Sequence, residues 1–220
     1  MNLSLLPLQK YEYVEKKKTN TTKIIPAPAI LFNNEQKKFI NSKLKDSKLI
    51  GIPGGGKTRT IIEKIVYHFD NKDLKKNDTY IMLTFSTAAQ KDFIRKGKQK
   101  RPLLFNQKNV RTIHSLSGTI VQKMLNKTSS SLETVVKCAV DLVRDTDPKI
   151  LKQIAVLKNV KAIFIDEAQD LSELYYLFLM LLKEKLGCCM YMIGDPNQNI
   201  YQFNNGSDKY LLEYKGEQHT

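Results

Sequence analysis

Residues 51–58 read GIPGGGKT, three adjacent glycines followed by a lysine and a hydroxyl. Residue types in that order suit the capture of a polyphosphate. Glycine takes backbone angles closed to other residues and carries no Cβ, so Gly54, Gly55 and Gly56 let the backbone take positive φ, approach a phosphate closely and turn consecutive N–H groups inward on the anion. Lys57 would set an ammonium on the β- and γ-phosphates, and the Thr58 hydroxyl would be one of the few protein ligands of a mostly hydrated Mg²⁺. A second cluster, Asp166-Glu167, follows an apolar run. Asp166 can hold a cation through water while Glu167 orients and deprotonates an attacking water. Gln198, in the third cluster GDPNQNIYQF at 194–203, is an uncharged donor able to sense a γ-phosphate. The plain alternative for the first cluster is a glycine-rich turn, so the surrounding elements must decide.

Those elements alternate. Residues 48–50 predict a short strand before the glycines, and Ile61, Ile62, Ile65, Val66 and Phe69 fall on one helical face after them. Upstream, a helix from residue 34 has Phe39, Ile40 and Leu44 as its apolar face, Asn33 or Asn34 as its cap, and carries Gln36. Residues 80–85, YIMLTF, predict a strand covered on both faces, then a helix over 88–96 and a solvated basic loop over 96–102. A third strand at 110–113 leads at once into a helix near 117–125. LETVVKCAVDLV places Leu132, Val135, Val136, Ala139, Val140 and Val143 on one stripe, with Ser130 and Glu133 spaced as a capping box. Asp147-Pro148 opens another helix, packing through Ile150, Leu151, Ile154 and Leu157. A strand at 160–165 ends in DEAQD; Ser172 caps a long helix that stops at Gly187; a fifth strand covers 188–193. Strand after helix, with a polar cluster at the carboxyl end of each strand, describes a parallel α/β sheet with right-handed crossovers and its clusters on one edge.

Composition narrows the setting. The 36 Lys+Arg against 22 Asp+Glu give a formal charge of +14, which favours a polyanionic partner such as nucleic acid over a merely soluble lysine-rich surface only once motifs support it. Cys138, Cys188 and Cys189 lack metal-ligand spacing and are odd in number, so they are expected as reduced, buried, intracellular thiols. The longest apolar run, 174–182, has nine residues, against about 20 for a membrane helix. No membrane association and no secretory signal are expected. Residues 1–30 mix lysine, threonine and proline without a period and are expected as a basic arm.

The motifs resemble, in kind and order, those of superfamily 1 DNA helicases of the UvrD/Rep type. The resemblance covers about 32–206. It runs through FNNEQ (32–36), GIPGGGKTR (51–59), LTFST (83–87) with Asp92 beyond it, RTIHS (111–115), IDEAQD (165–170) and GDPNQNIYQF. It implies a RecA-like P-loop NTPase, an α/β parallel sheet flanked by helices with a small helical insert at about 116–159. It also implies ATP and Mg²⁺ as cofactors, single-stranded DNA (RNA possible) as partner, and a second RecA-like domain in cis or trans. Residue by residue, Gln36 would read adenine, its amide matching N7 and the 6-amino group. Gly51, Ile52, Pro53, Gly54, Gly55, Gly56, Lys57, Thr58 and Arg59 would surround the phosphates. Thr58 and Asp166 would hold the metal, and Lys57, Glu167 and Gln198 would carry catalysis. Thr84, Phe85, Ser86, Thr112, His114, Ser115, Tyr201 and Phe203 would contact nucleic acid by stacking and backbone contacts. Plainer roles stand beside these: Phe85 and Phe203 as core, Ser115 as a helix cap, and His68 and His219 as structural.

Four departures bear on activity. Thr87-Ala88 stands where the family carries Asn-Lys, Asn204 where it carries arginine, and the interval from 115 to 160 is short. The sequence given ends at Thr220, about where the family passes into its second domain, so 207–220 is expected as a tail and slow or absent turnover by this chain alone. A non-motor module that binds nucleotide and nucleic acid without turnover is the alternative. A small-molecule P-loop kinase would not need both the DEAQD and GDPNQ clusters.

Overall fold

The computed structural model describes residues 32–52, 54–126, 132–198 and 207–220. The expected arm at 1–30, Pro53, the Ser130 cap, Tyr201, Phe203 and Asn204 lie outside the described residues.

Helix α1 (Asn34–Asn41) opens on a reciprocal capping box: the Asn33 carboxamide accepts from Gln36 N at 2.7 Å and Gln36 Oε1 accepts from Asn33 N at 2.9 Å. It ends one turn before Leu44, which packs from the connection instead of from the helix. Strand β1 (Ser47–Ile50) leads into α2 (Lys57–Asp70), and β2 (Thr79–Thr84) into α3 (Thr87–Lys100). Helix α3 absorbs most of the segment expected as a basic loop. The reason is Gly97, whose missing Cβ lets the helix settle on Phe105; an added Cβ would lie 2.3 Å from that ring. Strand β3 (Val110–Thr112) is followed without a gap by α4 (Ile113–Leu125), since the Thr112 hydroxyl caps it by accepting from Ser115 N at 3.1 Å. Next come α5 (Leu132–Asp145), α6 (Pro148–Leu151), β4 (Val160–Ile165), α7 (Glu173–Leu186), β5 (Cys189–Gly194), α8 (Lys209–Leu212) and β6 (Glu217–His219). Helix α6 has Asp147 as its cap, but Ile150 points outward, 49% exposed, while Leu151, Ile154 and Leu157 are buried. Helix α7 runs from the Ser172 cap to Gly187, whose left-handed φ of 64° turns its N–H back on the last carbonyls.

All six strands pair in parallel, in the order β3-β2-β4-β5-β1-β6. Alternation along the strands feeds two core layers. Tyr80, Met82, Phe164, Tyr191 and Ile193 meet α1, α2 and α3 on one face. Ile81, Leu83, Ile163, Ile165, Met190 and Met192 meet α4, α5 and α7 on the other. The segment 116–159, expected as a small helical insert, packs on this second face through Val136, Ala139, Val140 and Val143, beside α7. The segment 207–220, expected as a tail, adds an edge strand: Ser47, Lys48 and Leu49 pair with Glu217, Gln218 and His219. Two thiols are half-buried, while burial pushes the buried Cys188 thiol up to about 12, so it is inert at neutral pH.

Buried Lys64 ties α2 to the end of α1. Its ammonium donates to the Ile40 carbonyl (3.1 Å), the Ser42 carbonyl and the Ser42 hydroxyl (2.8 Å), beneath the rings of Phe39, Tyr67 and Tyr191. Four residues on, His68 bridges Asp73 and the Tyr191 hydroxyl at 2.9 and 2.8 Å, a structural role as expected.

Candidate functional site

The glycine loop sits between β1 and α2. Gly54 and Gly56 take φ of 69° and 77°, the left-handed region glycine favours. Gly55 does not. Its N–H donates to Ile52 O at 3.1 Å, and an added Cβ would come 3.0 Å from that oxygen, so close approach is what requires glycine there. Gly51 N donates to Gly194 O at 3.0 Å, fastening the loop to the end of β5. Lys57 Nζ donates to Gly51 O at 3.2 Å, so the ammonium lies within the loop. Thr58 and Arg59 occupy the first turn of α2, and the Arg59 guanidinium lies over Phe32, 5.6 Å from its centroid. Gln36 Nε2 donates to Gly55 O at 2.7 Å, joining α1 to the loop.

Strand β5 separates β1 from β4, so the loop and the Asp166-Glu167 pair stand two strand spacings apart, roughly 10 Å. Asp166 is 9% exposed and its Oδ1 accepts from Glu167 N at 3.1 Å. Burial, then the neighbouring Glu167 charge, push its carboxyl up to about 7, opposed by the positive charges of Lys57 and Lys96. Glu167 has a left-handed φ of 52° and opens the 3-10 turn Ala168–Asp170. Burial and Glu167 likewise push Asp170 up to about 6. At the end of β5, Asp195 is 1% exposed; its Oδ1 accepts from Asn197 N at 3.0 Å, its Oδ2 has no partner among the described residues, and its carbonyl accepts from Gln198 N at 3.0 Å.

Among the described residues no three His, Cys, Asp or Glu side chains converge to cage a metal. One hydroxyl, Thr58, and one desolvated carboxylate, Asp166, are hard oxygen donors, and so sparse a set fits a cation that keeps its waters and binds with phosphates.

The nucleic-acid candidates divide. Thr84 is 2% exposed and donates its hydroxyl to Ser86 O at 3.1 Å; Thr112 is buried and spent on its cap. Both hydroxyls lie below the surface and are engaged within the chain. Ser86 and Ser115 are exposed, as are Thr87 and Ala88. Ser86 caps α3 by accepting from Ala89 N, and Ser115 Oγ accepts from Arg111 at 3.3 Å. Phe85 is half-buried beside Tyr175, and the His114 ring meets Tyr175 edge-on at 5.4 Å, with Nε2 and the Tyr175 hydroxyl 2.9 Å apart. Burial lowers the His114 pKa, which favours the neutral ring. Tyr175 went unread because it lies in the apolar run of α7, where an aromatic reads as core.

A family model described as an AAA domain matches residues 36–204. This chain belongs to that family. It is 33% identical over 187 residues to a "Putative ATP-dependent DNA helicase" of Acanthamoeba polyphaga mimivirus, covering 83% of this chain and 27% of that protein. It is 27% identical over 158 residues to the RecBCD enzyme subunit RecB of Buchnera aphidicola, covering 70% of this chain and 13% of that one. The chain therefore spans about a quarter or less of those relatives. The Pif1 helicase of Candida albicans is similar at a TM-score of 0.46 and 16% identity, over 76% of this chain and 33% of the other; the parallel sheet stands on its own pairing. Family and relatives place the chain as a RecA-like domain of superfamily 1 helicase type. Among the described residues no helix is long and apolar enough to cross a membrane.

Proposed function

We propose that this domain binds Mg·ATP at the carboxyl edge of its sheet, hydrolyses it, and holds single-stranded nucleic acid on the neighbouring rim, as the ATPase part of a DNA helicase. The observation that carries the reading is the convergence of three loops. The glycine loop is hydrogen-bonded to the end of β5, and Asp166 at the end of β4 feels the Lys57 charge.

In this reading the loop N–H groups and Lys57 bind the phosphates, and the N-terminus of α2 adds its dipole. Thr58 and Asp166 would hold Mg²⁺, which supplies charge neutralisation between the β- and γ-phosphates. Glu167 orients the water and takes its proton; Gln198 donates to the γ-phosphate. Phe85, Tyr175 and His114, with Ser86 and Ser115 beside them, present aromatic edges and hydroxyls to bases and phosphates. A second RecA-like domain would supply the other half of the ATP interface. Asn204, where the family carries an arginine that couples nucleotide to DNA, favours the second reading, a binding module with little turnover.

Titration with a fluorescent, non-hydrolysable ATP analogue and Mg²⁺ tests the first step. Lys57→Ala is expected to weaken binding at least tenfold without lowering thermal stability. Absence of binding to the unmodified chain overturns the proposal. ATPase assays with single-stranded DNA or RNA, alone and with a polypeptide carrying a second RecA-like domain, separate motor from binding module.

A further inference from the structure

Gln169 lies between the base candidate and the loop of Gln198, and its side chain is 2% exposed. Its Nε2 donates to Glu167 Oε2 at 2.9 Å, and its Oε1 accepts from Asp195 N at 3.0 Å. Asp195 in turn receives Gln198 N on its carbonyl and Asn197 N on its carboxylate. The backbone has been cleared for this amide: a Cβ on Gly194 would stand 2.3 Å from Gln169 Oε1 and 3.2 Å from Ala168 N.

We propose that Gln169 is a positioning residue that fixes the Glu167 carboxylate to the end of β5, so that the water-activating group and the γ-phosphate-sensing loop keep one geometry.

The chemistry demands an amide at this place. A peptide N–H only donates and a carboxylate only accepts, so the bridge between them must accept at one atom and donate at the other. Glutamate would keep the first bond, lose the second and set two carboxylates together. Methionine, of similar length, would keep neither. Fixing Oε2 from behind stops the carboxylate from turning and leaves Oε1 available to a water. The bridge also gives a route by which displacement of Gln198 reaches the base, through two buried residues, Asp195 and Gln169, and three hydrogen bonds.

The inference rests on the proposed role of Glu167, and two measurements on the full chain keep the two claims apart. Hydrogen exchange at the Asp195 amide reads the bridge directly. Gln169→Met is expected to speed it at least tenfold, while Gln169→Glu leaves it within threefold of the unmodified chain. Steady-state ATPase reads the consequence. Both variants are expected to lower kcat at least tenfold with KM for Mg·ATP changed less than threefold. Unchanged Asp195 exchange in Gln169→Met, or a Gln169→Glu variant with undiminished kcat, overturns the proposal. Absence of turnover even with a polypeptide carrying a second RecA-like domain overturns the hydrolytic reading instead, and the exchange pair then decides the bridge alone. Where Gln169→Met fails to fold, the isosteric Gln169→Glu decides it by kcat.

Discussion

Replacing Asp166 with asparagine should make the nucleotide-free protein more stable, and by an amount that depends on pH. Asp166 is almost wholly buried, and burial beside Glu167 raises its carboxyl from an ordinary 3.8 to about 7. Below 3.8 folded and unfolded chains both carry the neutral acid, and its ionisation costs nothing. Between 3.8 and 7 the unfolded chain ionises while the folded chain does not, so stability falls by about 1.36 kcal/mol per pH unit. Above 7 both are ionised and the loss is complete, at about 4 kcal/mol as a ceiling. Asparagine has the size of the neutral acid and still accepts from Glu167 N, so the variant escapes the loss.

Urea unfolding of both proteins at pH 5 and pH 8.5 measures it. The advantage of Asp166→Asn is expected to be about 1.6 kcal/mol at pH 5 and to approach 4 kcal/mol at pH 8.5. With a slope near 3 kcal/mol per molar urea, the midpoints should differ by about 0.5 M and 1.3 M. The same substitution removes the anionic oxygen proposed for Mg²⁺, so the stabilised variant should lose Mg²⁺-dependent nucleotide affinity. A variant less stable than the parent at pH 8.5, or a midpoint difference that does not grow between the two pH values, refutes the reasoning.

Other perturbations test the frame around the site. Gly97→Ala puts a Cβ 2.3 Å from the fully buried Phe105 ring and should cost about 3 kcal/mol in urea unfolding, with Phe105→Leu in the same chain recovering part of it. Tyr175→Ala should weaken binding of a fluorescent single-stranded oligonucleotide by about 5- to 100-fold, the worth of one stacked base, with Mg·nucleotide affinity unchanged. Lys64→Met leaves the Ile40 and Ser42 carbonyls unpaired and should cost about 2–4 kcal/mol near neutral pH. Burial lowers the Lys64 pKa to about 7 from 10.5, so between those values the unfolded chain binds more protons and parental stability should rise with pH; in Lys64→Met that rise should disappear from the urea midpoints.

What could be read without coordinates was whatever is written as a period or a tight cluster. The core strands β2, β4 and β5, the α2 stripe and the caps at Asn33, Asp147 and Ser172 follow from local chemistry. So does the placement of the polar clusters along one edge. What could not be read depends on partners distant in sequence. Glu217, Gln218 and His219 have no apolar alternation, and only the free edge of β1 makes them a strand. The helix beyond residue 96 continues because Phe105 fills the notch over Gly97, a contact that no pattern in KGKQKRP announces. Within the candidate site, Lys57, Asp166 and Glu167 were marked by motif. Gln169 and Tyr175 take their meaning from Asp195 and His114, 26 and 61 residues away.

Gln36 shows how a residue can serve the apo fold and still be free for the proposed adenine contact. Its Oε1 accepts from Asn33 N and its Nε2 donates to Gly55 O, so the amide is fixed before any nucleotide arrives. Each of those atoms has one bond in reserve, a second lone pair on oxygen and a second hydrogen on nitrogen. That pair matches the 6-amino group and N7 of adenine, whereas guanine offers acceptors at both places and would meet the amide oxygen with its own. Gln36→Glu divides the two roles. The carboxylate still accepts from Asn33 N, so the helix cap survives and the melting temperature should change little. No donor remains for Gly55 O or for N7, so affinity for the adenine analogue should fall about 10- to 100-fold, and any preference over the guanine analogue should shrink with it. Gln36→Ala instead loses half of the capping box and should cost about 1 kcal/mol of stability as well. If Gln36→Glu binds the adenine analogue as tightly as the parent, the side chain is a strut between α1 and the glycine loop and reads no base.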